Sequence, residues 1–216
     1  MIPPAKNRNR ISVCKFRAAL SIAILFLEFQ CLSIPVRGDT MAKSISTVAA
    51  MQCIQKMKEI EFFATQEKID QVMSTRFTEE EINAYLSLDS NSGYQSCWKN
   101  MRMSFKDDLM EGIASVDFDC LKETSSAAFS AIILQLFSGI HVITARGTIV
   151  GGNGKGHIQL DQVRFDDSVL PKFLIQEVIA SVCRKQDPPF NPMEPSQLPY
   201  NIKKITIHPG YIIVYQ

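Results

Sequence analysis

Clustered cations, metal-ligand spacings and nucleophile motifs are all scarce in this chain, and each scarcity removes a class of function. Beyond residue 38 no run of Lys and Arg exceeds the pairs Arg184-Lys185 and Lys203-Lys204. That is too few for the many phosphate contacts a nucleic-acid partner requires, so none is expected. The histidines His141, His157 and His208 match no HxxH or HExxH spacing, and no two of Cys53, Cys97, Cys120 and Cys183 stand at CxxC spacing. No sequence-local metal site follows. A GxSxG nucleophile elbow is missing. The glycine run at 151–156 is no Walker loop, because Ile149 occupies the first glycine position and Lys155 is followed by Gly156 instead of Ser or Thr. It reads as a flexible hairpin turn. Asp117 and Asp119 resemble the DxD of metal-dependent sugar transferases, and Asp161 would join them if the two hairpins were neighbours. Without a nucleotide-binding βαβ context they read as a solvated sheet face. Neither a catalytic residue nor a cofactor is expected, and the chain reads as non-enzymatic.

A continuous apolar run long enough to span a membrane is also lacking. Lys6, Arg8, Arg10, Lys15 and Arg17 precede an apolar stretch from 18 to 34, but Glu28, Gln30 and Cys31 interrupt it well short of the ~20 residues a spanning helix needs. With Val36-Arg37-Gly38 offering small or compact residues at the two positions a signal peptidase reads, residues 1–38 read as a secretory signal peptide. The mature protein then starts near Asp39 and is exported, periplasmic or extracellular. Removing the leader takes away six of the 23 Lys and Arg and one of the 22 Asp and Glu, leaving a mildly acidic 17 against 21. The 178 residues of 39–216 suit one domain.

What is present is a period that switches along the chain. Ile45, Val48, Ala49, Cys53, Met57, Ile60 and Ala64 recur at helical steps over 41–66. A short segment follows at 68–76. Phe77-Thr78-Glu79-Glu80-Glu81-Ile82 then carries a capping box, Thr78 with Glu81, and a hydrophobic staple, Phe77 with Ile82, opening a helix that runs to about 88. Residues 89–93 read as a loop. From Cys97 the period becomes two: Met101, Met103 and Phe105 on one strand, Ala114, Val116, Phe118 and Cys120 on the next. A helix is expected over 125–138, a hairpin of 140–150 with 157–165, a helix over 171–184, a proline-rich surface crossing at 187–199, and a hairpin of 202–207 with 211–215 about Pro209-Gly210. This order gives an α+β fold, a curled, mainly antiparallel sheet with amphipathic helices on one face.

Four cysteines in an oxidising compartment suggest two disulfides. If the first hairpin turns at Asp108-Leu109, Met101 stands opposite Val116, Met103 opposite Ala114, and Cys97 opposite Cys120 within bridging reach. Cys53 and Cys183 are then left as the second pair. The methionines and phenylalanines suggest either a filled core or a pliable pocket for an apolar ligand.

The pieces Phe77-Thr78-Glu79-Glu80-Glu81-Ile82-Asn83-Ala84-Tyr85-Leu86, Val116-Asp117-Phe118, Val169-Leu170-Pro171 and Leu198-Pro199 together resemble a group of exported bacterial envelope proteins, the YpmS-like and LmeA-like families. Some of these have tubular lipid-binding-like or related curled-sheet folds. The likeness spans about 69–216. It implies an extracytoplasmic domain whose sheet and helices enclose an apolar groove, with lipid binding as the theme and no catalytic residues to carry over. On that reading Met101, Met103, Phe105, Ala114, Val116 and Phe118 line the groove, covered by Phe129 and Ile133 from one helix and Phe173 from the next. The expected partners are a lipid or other apolar small molecule and a peripheral membrane or envelope-protein contact. The alternative is an envelope protein-interaction or structural module with a filled core.

Overall fold

The computed structural model describes residues 42–66, 72–89, 97–124, 137–171, 173 and 192–216. Residues 1–38, expected as a leader, the expected loop at 90–93, the helix expected over 125–138 but for its last two positions, with Phe129 and Ile133, and most of that expected over 171–184, with Cys183, lie outside them.

Helix α1, Ala42–Thr65, turns Ala49, Ala50, Cys53 and Ile60 inward, all at 6% exposure or less. Val48, expected on that stripe, is 58% exposed, and the inward positions on that turn are Ala49 and Ala50. The segment after α1 contains a strand, β1, Ser74–Thr78, which leads directly into α2, Glu79–Asp89. The capping box forms at that junction. Thr78 N–H donates to Glu81 Oε2 at 2.8 Å, and Glu81 N–H donates to Thr78 Oγ1 at 3.2 Å. Phe77 and Ile82 are fully buried in one cluster.

Strands β2, Trp98–Lys106, and β3, Leu109–Asp117, pair about a two-residue turn at Asp107-Asp108. The turn lies one residue earlier than the expected one. Phe105 therefore meets Met110 and Met103 meets Gly112, and an irregularity between Lys99 and Arg102 shifts the far end so that Trp98 meets Val116. The chain also leaves the sheet sooner than the alternation suggests. Asp117 Oδ1 accepts the Cys120 N–H at 3.1 Å and caps α3, Phe118–Thr124, so Phe118 and Cys120 are helical. Cys97 and Cys120 are nevertheless bridged, with Cα atoms 5.4 Å apart. One helical turn returns Cys120 above the end of β3, next to the start of β2. Cys53 is a free, buried thiol, which removes it from the expected second pair.

The long hairpin is β4, Ile140–Gly152, with β5, Lys155–Phe165. Both strands run into the glycine segment, and the turn is only Asn153-Gly154. Both residues have positive φ, 53° and 81°, as a type I′ turn requires. Short strands β6, Ser168–Val169, and β7, Ser196–Gln197, pair with β5, giving the path β2-β3-β4-β5-β6 with β7 to the side. The proline-rich crossing is thus partly structural, and Pro192 is fully buried with its carbonyl accepting Ile158 N–H at 2.7 Å. Strands β8, Lys204–His208, and β9, Tyr211–Tyr215, form the last hairpin, and β1 adds to β9 to complete a second sheet. All pairings are antiparallel, and the fold is α+β with the sheets not closed into a barrel.

Strand β8 packs across β2, β3 and β4. Its Ile205 and Ile207 share one buried cluster with Met101, Phe105, Val116 and, from α1, Ile60. The outer edge of β2 is held by α2. Asn83 Nδ2 donates to Met103 O at 2.8 Å while its Oδ1 accepts Met103 N–H at 2.7 Å, and Glu79 Oε2 accepts Phe105 N–H at 2.9 Å. Residues 79 and 83, one turn apart, thus take the place of a neighbouring strand and block the exposed edge.

Candidate functional site

The register divides the larger sheet into two faces. Trp98, Met103, Phe105, Met110, Ala114, Val116, Ile143, Ala145 and Phe165 share the inner one. That face is unevenly covered. On β2 and β3, Met101, Phe105, Met110, Ala114 and Val116 are at 0 to 6% exposure. On β4 and β5 the cover is mixed: Val163, opposite Ala145, and Ile158, opposite Ile149, are buried at 5 and 4% exposure, whereas Ile143, Ala145, Ile149, Leu160 and Phe165 are half-buried, as is Phe137 before β4. The inner face is therefore closely packed on β2 and β3, while along the long hairpin half-buried apolar residues at the margin of the core cluster, Ile143, Ala145, Leu160 and Phe165, form a partly open strip around the buried Val163.

Two glycines on this face stand where a neighbour leaves no room for a side chain. Gly112 stands opposite Ala145 at its centre, and a side chain added at Gly112 would meet the Met103 sulfur at 3.0 Å. Gly147 lies beside the irregularity at which β5 carries an extra residue, Asp161, between the partners of Arg146 and Gly147, and there an added Cβ would strike the Gln159 carbonyl at 2.5 Å.

One end of the strip is closed by rings. Phe137 lies 4.4 Å from Phe165, His141 lies 4.5 Å from Phe165, and Phe118 stands 5.6 Å from each of the three. His141 joins the cluster because it pairs with Val116 and so points to the inner face. Its Nδ1 is 2.7 Å from Asp166 Oδ2 and its Nε2 is 2.9 Å from Ser138 O. Both partners are acceptors, so both ring nitrogens are satisfied only when the imidazole carries two protons. The bond to Asp166 raises the His141 pKa above the ordinary imidazole value, with the Ser138 carbonyl and the charges of Asp166 and Asp119 acting the same way against desolvation. Asp166 is held below the usual carboxylate range by His141 and by Val142 N–H. Asp119 is likewise lowered, by Lys122 first and then by Gly139 N–H.

Of the expected lining residues, Met101, Phe105, Ala114, Val116 and Phe118 come together in the packed half, and Met103 is half-buried beside them. Phe173 is 64% exposed and takes no part in the inner face. The residues that leave apolar surface open, Ile143, Ala145, Leu160 and Phe165, carry the same period-two signal as the others. Nothing in that signal tells which half of a sheet a second sheet covers. Asp117 and Asp119 serve as a helix cap and as a tie to Gly139 and Lys122. Among the described residues no group of three His, Cys, Asp or Glu could hold a metal ion, and no helix is long and apolar enough to cross a membrane.

The disulfide is consistent with an oxidising, extracytoplasmic setting. No protein-family model, no curated protein and no solved structure matches the chain.

Proposed function

We propose that this is a non-enzymatic extracytoplasmic protein that holds an acyl chain or similar apolar ligand against the inner face of the β4–β5 hairpin. The observation that carries this reading is the half-buried strip of Ile143, Ala145, Leu160 and Phe165, around the buried Val163, beside the more closely packed β2 and β3. A largely apolar surface with a few fixed polar groups at one end, here His141 and Asp166, is the usual composition of a small-molecule site. The export signal expected from residues 1–38 and the sequence resemblance to envelope proteins point the same way.

Two tryptophan substitutions test it. Ala114→Trp enters the packed half and should overpack it, costing about 1–3 kcal/mol in denaturant unfolding. Ala145→Trp enters the strip and should leave stability nearly unchanged while abolishing binding of a fluorescent fatty acid. Native mass spectrometry after organic extraction of the purified protein should recover a lipid from the wild type and not from Ala145→Trp. Equal destabilisation by both substitutions, with no fatty-acid binding by the wild type, defeats the proposal. A protein-interaction module is the second reading, favoured by the exposure of Val48, Met51 and Phe62 on α1, at 58, 58 and 60%.

A further inference from the structure

The smaller sheet buries one face only. Phe77, Ile205, Ile207, Ile212 and Val214 alternate inward at 0 to 8% exposure. On the opposite face Arg76 and Lys204 are exposed, and Tyr211, Tyr215, His208 and Ile213 are half-buried. The remaining outward positions are Ser and Thr, so the face presents two cations and no carboxylate.

The side chains on it are ordered by stacking. The Arg76 guanidinium carbon lies 3.8 Å from the centroid of the Tyr211 ring, and His208 stacks on Tyr211 at 4.9 Å and 19°. His208 is in turn 3.0 Å from Thr206 Oγ1. Stacking holds a guanidinium by its flat side and leaves its N–H edge free, the edge that recognises phosphate oxygens. Among the described residues neither Arg76 nor Lys204 has an ion-pair partner. The glutamates just past β1 do not neutralise them all: Glu79 is bonded to Phe105 N–H and Glu81 to Lys56, leaving Glu80 as the exposed acid of that turn.

We propose that this face docks on a bilayer surface containing acidic phospholipid, with Arg76 and Lys204 on headgroup phosphates and Tyr211 and Tyr215 at the water–headgroup boundary. Charge complementarity sets the sign of the partner. Size and composition set its kind. Three strands of five residues make a platform roughly 16 Å by 10 Å, far below the ~800 Å² per partner of a stable protein interface. Two cations are too few for a nucleic acid or comparable polyanion. Tyrosines flanked by cations are the side chains that settle at membrane interfaces, with the ring body apolar and the tip wet. The inference stands independently of the apolar strip, which lies on the other sheet.

The test is cosedimentation of the full chain with vesicles of phosphatidylcholine, with and without phosphatidylglycerol. Binding should require phosphatidylglycerol, weaken with added salt, and fall about fivefold for each of Arg76→Gln and Lys204→Gln. These variants share the wild-type leader, so any loss belongs to the face. Tyr211→Ala should also weaken binding although no charge is removed, and Arg76→Lys should recover only part of what Arg76→Gln loses, because an ammonium keeps the charge but not the flat stack or the N–H fork. Circular dichroism and melting temperature check that each variant is folded. Ala145→Trp should bind vesicles like the wild type, which separates this inference from the ligand proposal. Equal binding to pure phosphatidylcholine, no loss in Arg76→Gln/Lys204→Gln, or binding to heparin in solution without binding to vesicles would each overturn the assignment.

Discussion

His141 and Cys53 illustrate how neighbours set the chemistry of a single side chain. With both ring nitrogens facing acceptors, His141 favours its charged form, and its pKa is raised chiefly by Asp166. A group with a raised folded pKa adds stability that is fully present below its unfolded value, about 6.5, and is lost as pH rises through the folded value. Asp166 and Asp119, being lowered, act in the opposite sense and lose their contribution as pH falls through their folded values. The melting temperature of the wild type minus that of His141→Gln should therefore be positive near pH 6 and shrink toward pH 8. A difference that grows over that range contradicts the assignment. The Cys53 thiol is pushed up to about 12 by burial first and by the Glu81 charge second, with Lys56 opposing. It should resist iodoacetamide at pH 8 in the native state and react once the protein is unfolded, as peptide mass spectrometry can follow.

The junction of β1, α2 and β2 shows an element held by side chains as much as by its own backbone. Lys56 Nζ bonds both Glu81 oxygens, at 2.6 and 2.8 Å, and the Arg76 carbonyl at 2.7 Å, tying α1 to the start of α2. Asn83 presents one donor and one acceptor to Met103, as a neighbouring strand would. Asn83→Ala removes both bonds and leaves two partly buried backbone groups to find water. It should cost about 1–3 kcal/mol in urea unfolding, and hydrogen exchange at the Met103 amide should accelerate more than at amides inside β4. An unchanged Met103 exchange rate rules out the role given to Asn83.

Across the whole molecule, α1 and the two sheets meet in one hydrophobic cluster, and the disulfide closes its far side. Cys97–Cys120 spans 23 residues of chain around the β2–β3 hairpin. Replacing both cysteines by serine should lower stability by about 3 kcal/mol through the freedom returned to the unfolded chain. The expected readout is a lower urea midpoint in Cys97→Ser/Cys120→Ser and in the wild type under reductant, by similar amounts. The tie at the other side is Gln216, whose Nε2 donates to Ile60 O at 3.0 Å and Tyr200 O at 2.8 Å, bonding the residue after β9 to α1.

What residues i to i+4 decide among themselves was legible in the sequence. The capping box of Thr78 and Glu81, the Pro209-Gly210 hairpin, the glycine-rich turn and the alternation of β3 up to Val116 are all local, so the α+β class followed from them. Distance along the chain marks where legibility ended. The register of the first hairpin depended on which two of three turn residues were central, and a shift of one residue re-pairs every position. Asp117 ended its strand because a carboxylate can cap a helix as readily as it can face solvent. The strand at 74–78 exists because β9 lies beside it, and Asn83 matters because Met103 does. The same holds for the candidate site. Apolar alternation identifies an inner face, but only the placement of β8 across β2, β3 and β4 determined which of its residues were buried and which kept partly open surface on the long hairpin. Coverage depends on which sheet comes to lie on which, and a pattern of period two is identical on both halves.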